Sequence, residues 1–320
     1  MIIERDLDFH HPENVNHRWA ETGYFNIYIP ENNIFCWIYY IHRAGVGITG
    51  TYVQIIDRWS DSILDPVYSD ISHYNPLPAD ATRFSLPCGL SFQAFSLSEY
   101  QLNYDAGGVE LDLRINAIMP PYDIHDPEMD PMAEADAQAA AANSGYGTAY
   151  SSHFDMSVRA KGTLKINGKA HVVDCVSTMD HSWGERGEHG YGAMTWANAH
   201  FGENYVLHAI FQFDRNAPVG EQHQFKHGYA LIEGRLRGLK GGAVHTIRNG
   251  IWPIHVEMRL LDIDEREHVV RGPMLNHHPW QMYGNAAAGL AMAQWRSPDV
   301  EGPGYGTYFD TWPTNRVRAG

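Results

Sequence analysis

Val109, Leu111, Leu113, Ile115, Ala117 and Met119 fall at every second position, with Glu110, Asp112, Arg114 and Asn116 between them. A period of two sends successive side chains to opposite faces, so this stretch can only be a strand with one dry and one wet face. Tyr100, Leu102 and Tyr104 precede it across Asp105-Ala106-Gly107-Gly108, which makes a hairpin. A second hairpin joins Ser157–Ile166 to Lys169–Val176 through Asn167-Gly168, the dipeptide that best supplies the positive φ angles of a tight two-residue turn. Further strands are expected at Ile34–His42, Thr51–Arg58, Tyr205–Phe213, Gly228–Leu239, His255–Ile263 and Val269–Leu275, with Gly241-Gly242 and Asp264-Glu265 as turns. Many short strands at even spacing predict an all-β sandwich or barrel.

One segment reads as helix. Asp130 is placed as an N-cap and Pro131 as the first helical residue, followed by an Ala-rich run from Met132 to Ala142 and then Asn143-Ser144-Gly145. With Pro120-Pro121 and Pro127 it marks a connector. The expected organisation is an N-terminal β domain over residues 1–125, a helical linker over 126–150 and a C-terminal β domain over 151–320.

A net charge of -15 disfavours nucleic acid and anionic membrane surfaces as partners, since both require a basic face. No apolar run is long enough to span a bilayer, and Met1–Asp6 lacks the basic and apolar regions of a secretory signal, so no membrane insertion and a cytoplasmic address are expected. The 3 cysteines are far apart and suggest free thiols rather than disulfides or a thiolate metal site. The 19 His, 18 Tyr and 9 Trp offer apolar bodies with one polar tip, suited either to a large β core or to a pocket for a bulky hydrophobic small molecule.

Two apparent motifs fail on their context. Gly45-Val46-Gly47-Ile48-Thr49-Gly50 has dinucleotide-loop spacing, yet Thr51-Tyr52-Val53-Gln54-Ile55-Ile56 reads as a strand where that loop must open a helix. His10-His11 and His277-His278 are adjacent, which makes joint chelation from an extended backbone awkward, and His223 and His227 lack the zinc-protease pattern; no metal is expected.

Chemistry concentrates in Met179-Asp180-His181-Ser182-Trp183-Gly184-Glu185-Arg186-Gly187. A carboxyl held in apolar surroundings has its pKa raised and can donate a proton near neutrality. Asp180 is therefore a candidate general acid or base, His181 a candidate second proton carrier, and Arg186 a group that could pin Asp180 and lower its pKa. His181 adjoins Asp180 on an extended backbone and would point away from it. The structural alternative is a tight turn in which Asp180 caps backbone amides and Trp183 fills the core. His153, Tyr146 and Tyr150 enter just before this strand pair and are candidate substrate contacts.

With these residues in view, the chain resembles the hydroxyneurosporene synthase-like proteins, the superfamily of carotenoid 1,2-hydratase, to which some Diels-Alderases also look similar. The resemblance is carried by His153-Phe154, Gly162-Thr163-Leu164 and Asp180-His181-Ser182-Trp183-Gly184-Glu185-Arg186, and more weakly by Trp37-Ile38-Tyr39-Tyr40, His73-Tyr74-Asn75 and Gly89-Leu90-Ser91-Phe92. It implies two lipocalin-like β-barrel or open-barrel domains in tandem and no organic cofactor. It also implies acid–base chemistry on a bulky hydrophobic substrate of aromatic or terpenoid type: hydration, dehydration or related elimination, isomerisation or cyclisation. Asp180 would inherit the proton-donating role and Trp183 that of an aromatic wall, with Trp37 and Tyr39 as further substrate contacts. The alternative is a lipocalin-like binding protein without chemistry. A homodimer is the base-rate expectation.

Overall fold

The computed structural model describes residues 1–133, 152–186, 194–214, 216–218, 220–284 and 286–314. The strands are numbered in chain order. The first sheet has the spatial order β4 (Tyr68–Pro76), β3 (Ile48–Ile56), β2 (Ile34–Arg43), β1 (Trp19–Ile29), β11 (Lys169–Glu185), β10 (Ser152–Ile166), β8 (Val109–Ala117), β7 (Glu99–Ala106), β6 (Leu90–Ser96) and β5 (Arg83–Ser85). A short β9 (Tyr122–Asp123) pairs with β10. This sheet is an open half-barrel.

The second sheet runs β17 (Glu267–Pro273), β16 (Trp252–Asp262), β15 (Arg235–Asn249), β14 (His223–Ile232), β13 (Tyr205–Phe213), β12 (Met194–His200), β20 (Val300–Pro313), β19 (Ala286–Ser297) and β18 (His278–Tyr283). Pairing of Arg271 on β17 with Arg296 on β19 closes eight of these strands into a barrel. Closure removes the exposed sheet edge, and side chains including Leu207, Phe211, Val256, Met258, Leu260 and Trp295 fill the interior. The all-β, tandem lipocalin-like fold read from the sequence is the one observed.

The chain divides into two compact units, the first comprising residues 1–55, 67–123 and 149–186 and the second residues 56–66, 124–148 and 187–320. This differs from a boundary at residue 150. The β10–β11 hairpin pairs with β8 on one side and β1 on the other, so the Asp180 segment belongs to the first unit and not to a C-terminal domain. A hairpin's own turn is legible in sequence, whereas the strands that receive it are set by non-local pairing.

Alternation survives where one face is wet, as on β8, where the buried residues are Val109, Leu111, Leu113 and Ile115. It fails in the middle of the sheet. From Ala20 to Ile29 every residue of β1 is buried, and nine of the ten residues of β2 are, so both faces are covered and the pattern loses its period. On β11 the change occurs within one strand: Val172 and Asp174 are exposed, but from Val176 to Gly184 only Asp180 keeps an accessible part.

Two local expectations need correction. Gly228–Leu239 is not one strand but the β14–β15 hairpin, turned at Glu233 and Gly234 with φ of 51° and 76°. Gly241-Gly242 is not a turn; both lie within β15, beside a register shift after Leu239. At the expected helix start the Asp130 carboxylate accepts the Met132 N–H at 2.8 Å, as an N-cap would, but 134–142 lie outside the described residues.

Candidate functional site

Asp180 lies inside a ladder rather than in a turn. It pairs with Tyr24 on β1 and with Asp155 on β10, so its neighbouring amides are committed to sheet hydrogen bonds. Strand alternation then decides which side chains can meet. Ser182 lies on the same face of β11, and the opposing positions bring Thr22 and Tyr24 from β1 and His153 and Asp155 from β10 to that face. Tyr39, opposite Tyr24, and Trp37, opposite Asn26, complete it from β2.

The cluster is polar, buried and tied together. Asp155, fully buried, pairs with His153 Nε2 at 3.0 Å. Arg186, only 3% exposed, donates to Ser182 Oγ at 2.7 Å and to the Tyr39 hydroxyl at 3.2 Å. Ser182 Oγ in turn shares a 2.7 Å hydrogen bond with Thr22 Oγ1. A buried guanidinium held on two hydroxyls is fixed in orientation as well as in charge.

These surroundings set the protonation of Asp180. Burial penalises its charged form and the neighbouring Asp155 repels it, while His153 and Arg186 favour ionisation; the outcome is a carboxyl raised to about 7. The expected lowering by Arg186 is therefore present, but burial outweighs it. His153 moves up as well: burial opposes its charged form, but Asp155, through charge and hydrogen bond, and Asp180 outweigh that. Tyr24 is held protonated by burial, with Asp180 adding to the effect. Thus one carboxyl is poised to hold or release a proton near neutrality beside the hydrogen-bonded Asp155–His153 pair.

His181 and Trp183 are not part of this cluster. They project from the opposite face of β11, where His181 meets Phe154 at 5.6 Å between ring centroids and Trp183 stacks on His10 at 3.7 Å. Burial lowers His181 to about 4, which makes it a neutral imidazole and a poor proton relay at neutral pH. The aromatic rings on the Asp180 face are instead Tyr24, Trp37 and Tyr39. Tyr146 and Tyr150 lie outside the described residues.

Sequence reasoning missed Asp155, Tyr24, Thr22 and the role of Ser182. A signal for Asp155 was present: His153, Asp155 and Ser157 are polar residues at every second position of a strand otherwise carrying Phe154, Met156 and Val158. Three polar groups on one face of a buried strand need partners, and that is where a site forms.

The family described as a domain of unknown function, DUF7064, matches residues 4–311. The chain belongs to that family. No curated protein matches the sequence. Among solved structures, kievitone hydratase from Nectria haematococca is similar with a TM-score of 0.52 and 11% identity, covering 94% of this chain and 89% of that one. CghA in complex with Sch210972 is similar with a TM-score of 0.57 and 12% identity, over 93% of this chain and 89% of that one. At such identity the likeness shows the fold alone, a tandem lipocalin-like β fold.

Among the described residues, no three His, Cys, Asp or Glu side chains are grouped to hold a metal ion, and no helix is long and apolar enough to cross a membrane.

Proposed function

We propose that this protein is a cofactor-independent lyase of the hydratase type, acting on a bulky hydrophobic substrate of aromatic or terpenoid character. The observation that carries this reading is the carboxyl of Asp180, raised to about 7 and partly accessible within a buried polar cluster. That one solved neighbour of the same fold is a kievitone hydratase makes addition of water the reaction to test first.

In the hydration direction, protonated Asp180 gives its proton to one alkene carbon, and the π electrons form the new C–H bond. Positive charge develops on the adjacent carbon, where Tyr24, Trp37 or Tyr39 can stabilise it by cation–π attraction of up to about 2 kcal/mol. Water adds to that carbon and its proton returns to the Asp180 carboxylate, so the product is the alcohol and the enzyme is regenerated. The Asp155–His153 pair and Arg186 hold the charge around Asp180 constant while it changes state. Elimination runs the same steps in reverse.

The experiment is incubation with kievitone and with hydrophobic alkene-bearing phenols in heavy-oxygen water, with mass detection of a labelled alcohol. Asp180→Asn should lower turnover about 100-fold to 10,000-fold while the fold and substrate binding persist. Wild-type protein that binds these phenols without ever incorporating the label would leave a binding protein as the function.

A further inference from the structure

On the opposite face of β11, inside the half-barrel of the first unit, lies a small cavity of about 20 Å³ lined by Glu21, His42, His181 and a set of aromatic rings. That is room for one water-sized group. It does not share the Asp180 cluster, because Glu21 and His181 occupy the alternate face of β1 and β11.

The polar groups around this cavity are incompletely satisfied. His181, 8% exposed, and His42, 2% exposed, each have a buried Nε2 without a hydrogen-bond partner. In His181 the other ring nitrogen donates to the Thr22 backbone carbonyl, so in the neutral ring Nε2 is a bare acceptor. In His42 the Nδ1 atom meets the Thr49 hydroxyl at 2.8 Å; when that hydroxyl accepts, Nε2 is left as an acceptor. Burial holds both rings neutral, His42 lowered to about 3 and His181 to about 4.

Glu21 adds a charge. It is 1% exposed and its carboxylate accepts the His10 backbone N–H at 2.9 Å and Trp19 Nε1 at 2.9 Å. Burial works against its ionisation, but these bonds hold its pKa below the usual value. Among the described residues no lysine or arginine pairs with it; His10 Nδ1 stands at 3.4 Å. A buried carboxylate with two acceptor imidazoles asks for a donor with positive charge. Tyr40, Phe92, Tyr100 and Phe154 line the same space, and aromatic rings attract a cation more than a neutral donor. Phe9, in edge contact with His42 at 5.3 Å, and Leu7 lie over it from the N-terminal segment.

From this geometry we infer a second binding site, independent of Asp180, that takes ammonium, held by Glu21, His181 and His42.

The test uses the full chain and ammonium chloride against sodium chloride of equal concentration. Ammonium should raise the Tm progressively with concentration while sodium does not, since a ligand of the native state alone stabilises it by mass action. Nitrogen-labelled ammonium followed by NMR should show saturable binding of one ion per chain. Glu21→Gln should weaken that binding at least about tenfold, as expected for loss of a charge-assisted contact, and Asp180→Asn should leave it unchanged. Identical melting in the two salts together with no saturable signal would overturn the site and leave a void for water. Unchanged affinity in Glu21→Gln would overturn it equally, and if that variant does not fold, the wild-type titration decides.

Discussion

Asp180→Asn should change how stability depends on pH, and the size of the change follows from the site. In the unfolded chain an aspartate loses its proton near 3.8, whereas in the native protein Asp180 keeps it to about 7. Between those values the native state binds more protons than the unfolded state, so unfolding free energy falls as pH rises through the window. Three pH units at about 1.4 kcal/mol each give a ceiling of about 4 kcal/mol, reached if the Asp155–His153 pair stays charged throughout. About 3 kcal/mol of this falls between about pH 5 and pH 8. The asparagine variant carries no such proton, and because Asp180 also raises His153, the measured difference includes that coupling. Urea unfolding of wild type and variant, followed by tryptophan fluorescence across that range, should show wild type losing stability relative to the variant as pH rises. A difference independent of pH would mean that Asp180 titrates normally, refuting the burial argument. A difference of opposite slope would make the ionised form the native one and Asp180 a base.

Two further outcomes test the frame around the site. At Gly168, φ is 85° and a Cβ would meet nothing within 4 Å, so Gly168→Ala should cost about 1–2 kcal/mol through backbone conformation alone, read as a lowered Tm. In the second barrel Arg248 pairs with the fully buried Asp310 at 2.6 Å, and despite burial Asp310 is lowered to about 2 by Arg248 and His223. Arg248→Met should cost about 3–5 kcal/mol in denaturant unfolding by stranding that carboxylate, and a second change, Asp310→Leu, should recover much of it. Because the folded pKa of Asp310 is depressed, its stabilisation is present above the unfolded value and disappears as pH falls through about 2.

The candidate site was legible in part. Asp180, Arg186, His153, Trp37 and Tyr39 were singled out from sequence and resemblance, and one face brings them together. His181 and Trp183, chosen for adjacency in the chain, project from the other face, as a period of two requires. Tyr24 was missed because its importance comes from cross-strand register, to which a linear reading has no access, whereas Asp155 left a signal in the polar alternation of His153, Asp155 and Ser157.

What the sequence determined by itself is therefore local: the β7–β8 hairpin from its alternation, the β10–β11 hairpin from Asn167-Gly168, and the failure of Gly45–Gly50 as a dinucleotide loop from the strand that follows it. Tertiary structure decided the rest. It fixed which strands flank β11, and so which side chains surround Asp180, because burial on both faces erases the periodic pattern that would announce those partners. It also fixed the protonation of Asp180, since the same carboxyl beside Arg186 could have been held low in water and is raised only because both faces of its strand are covered.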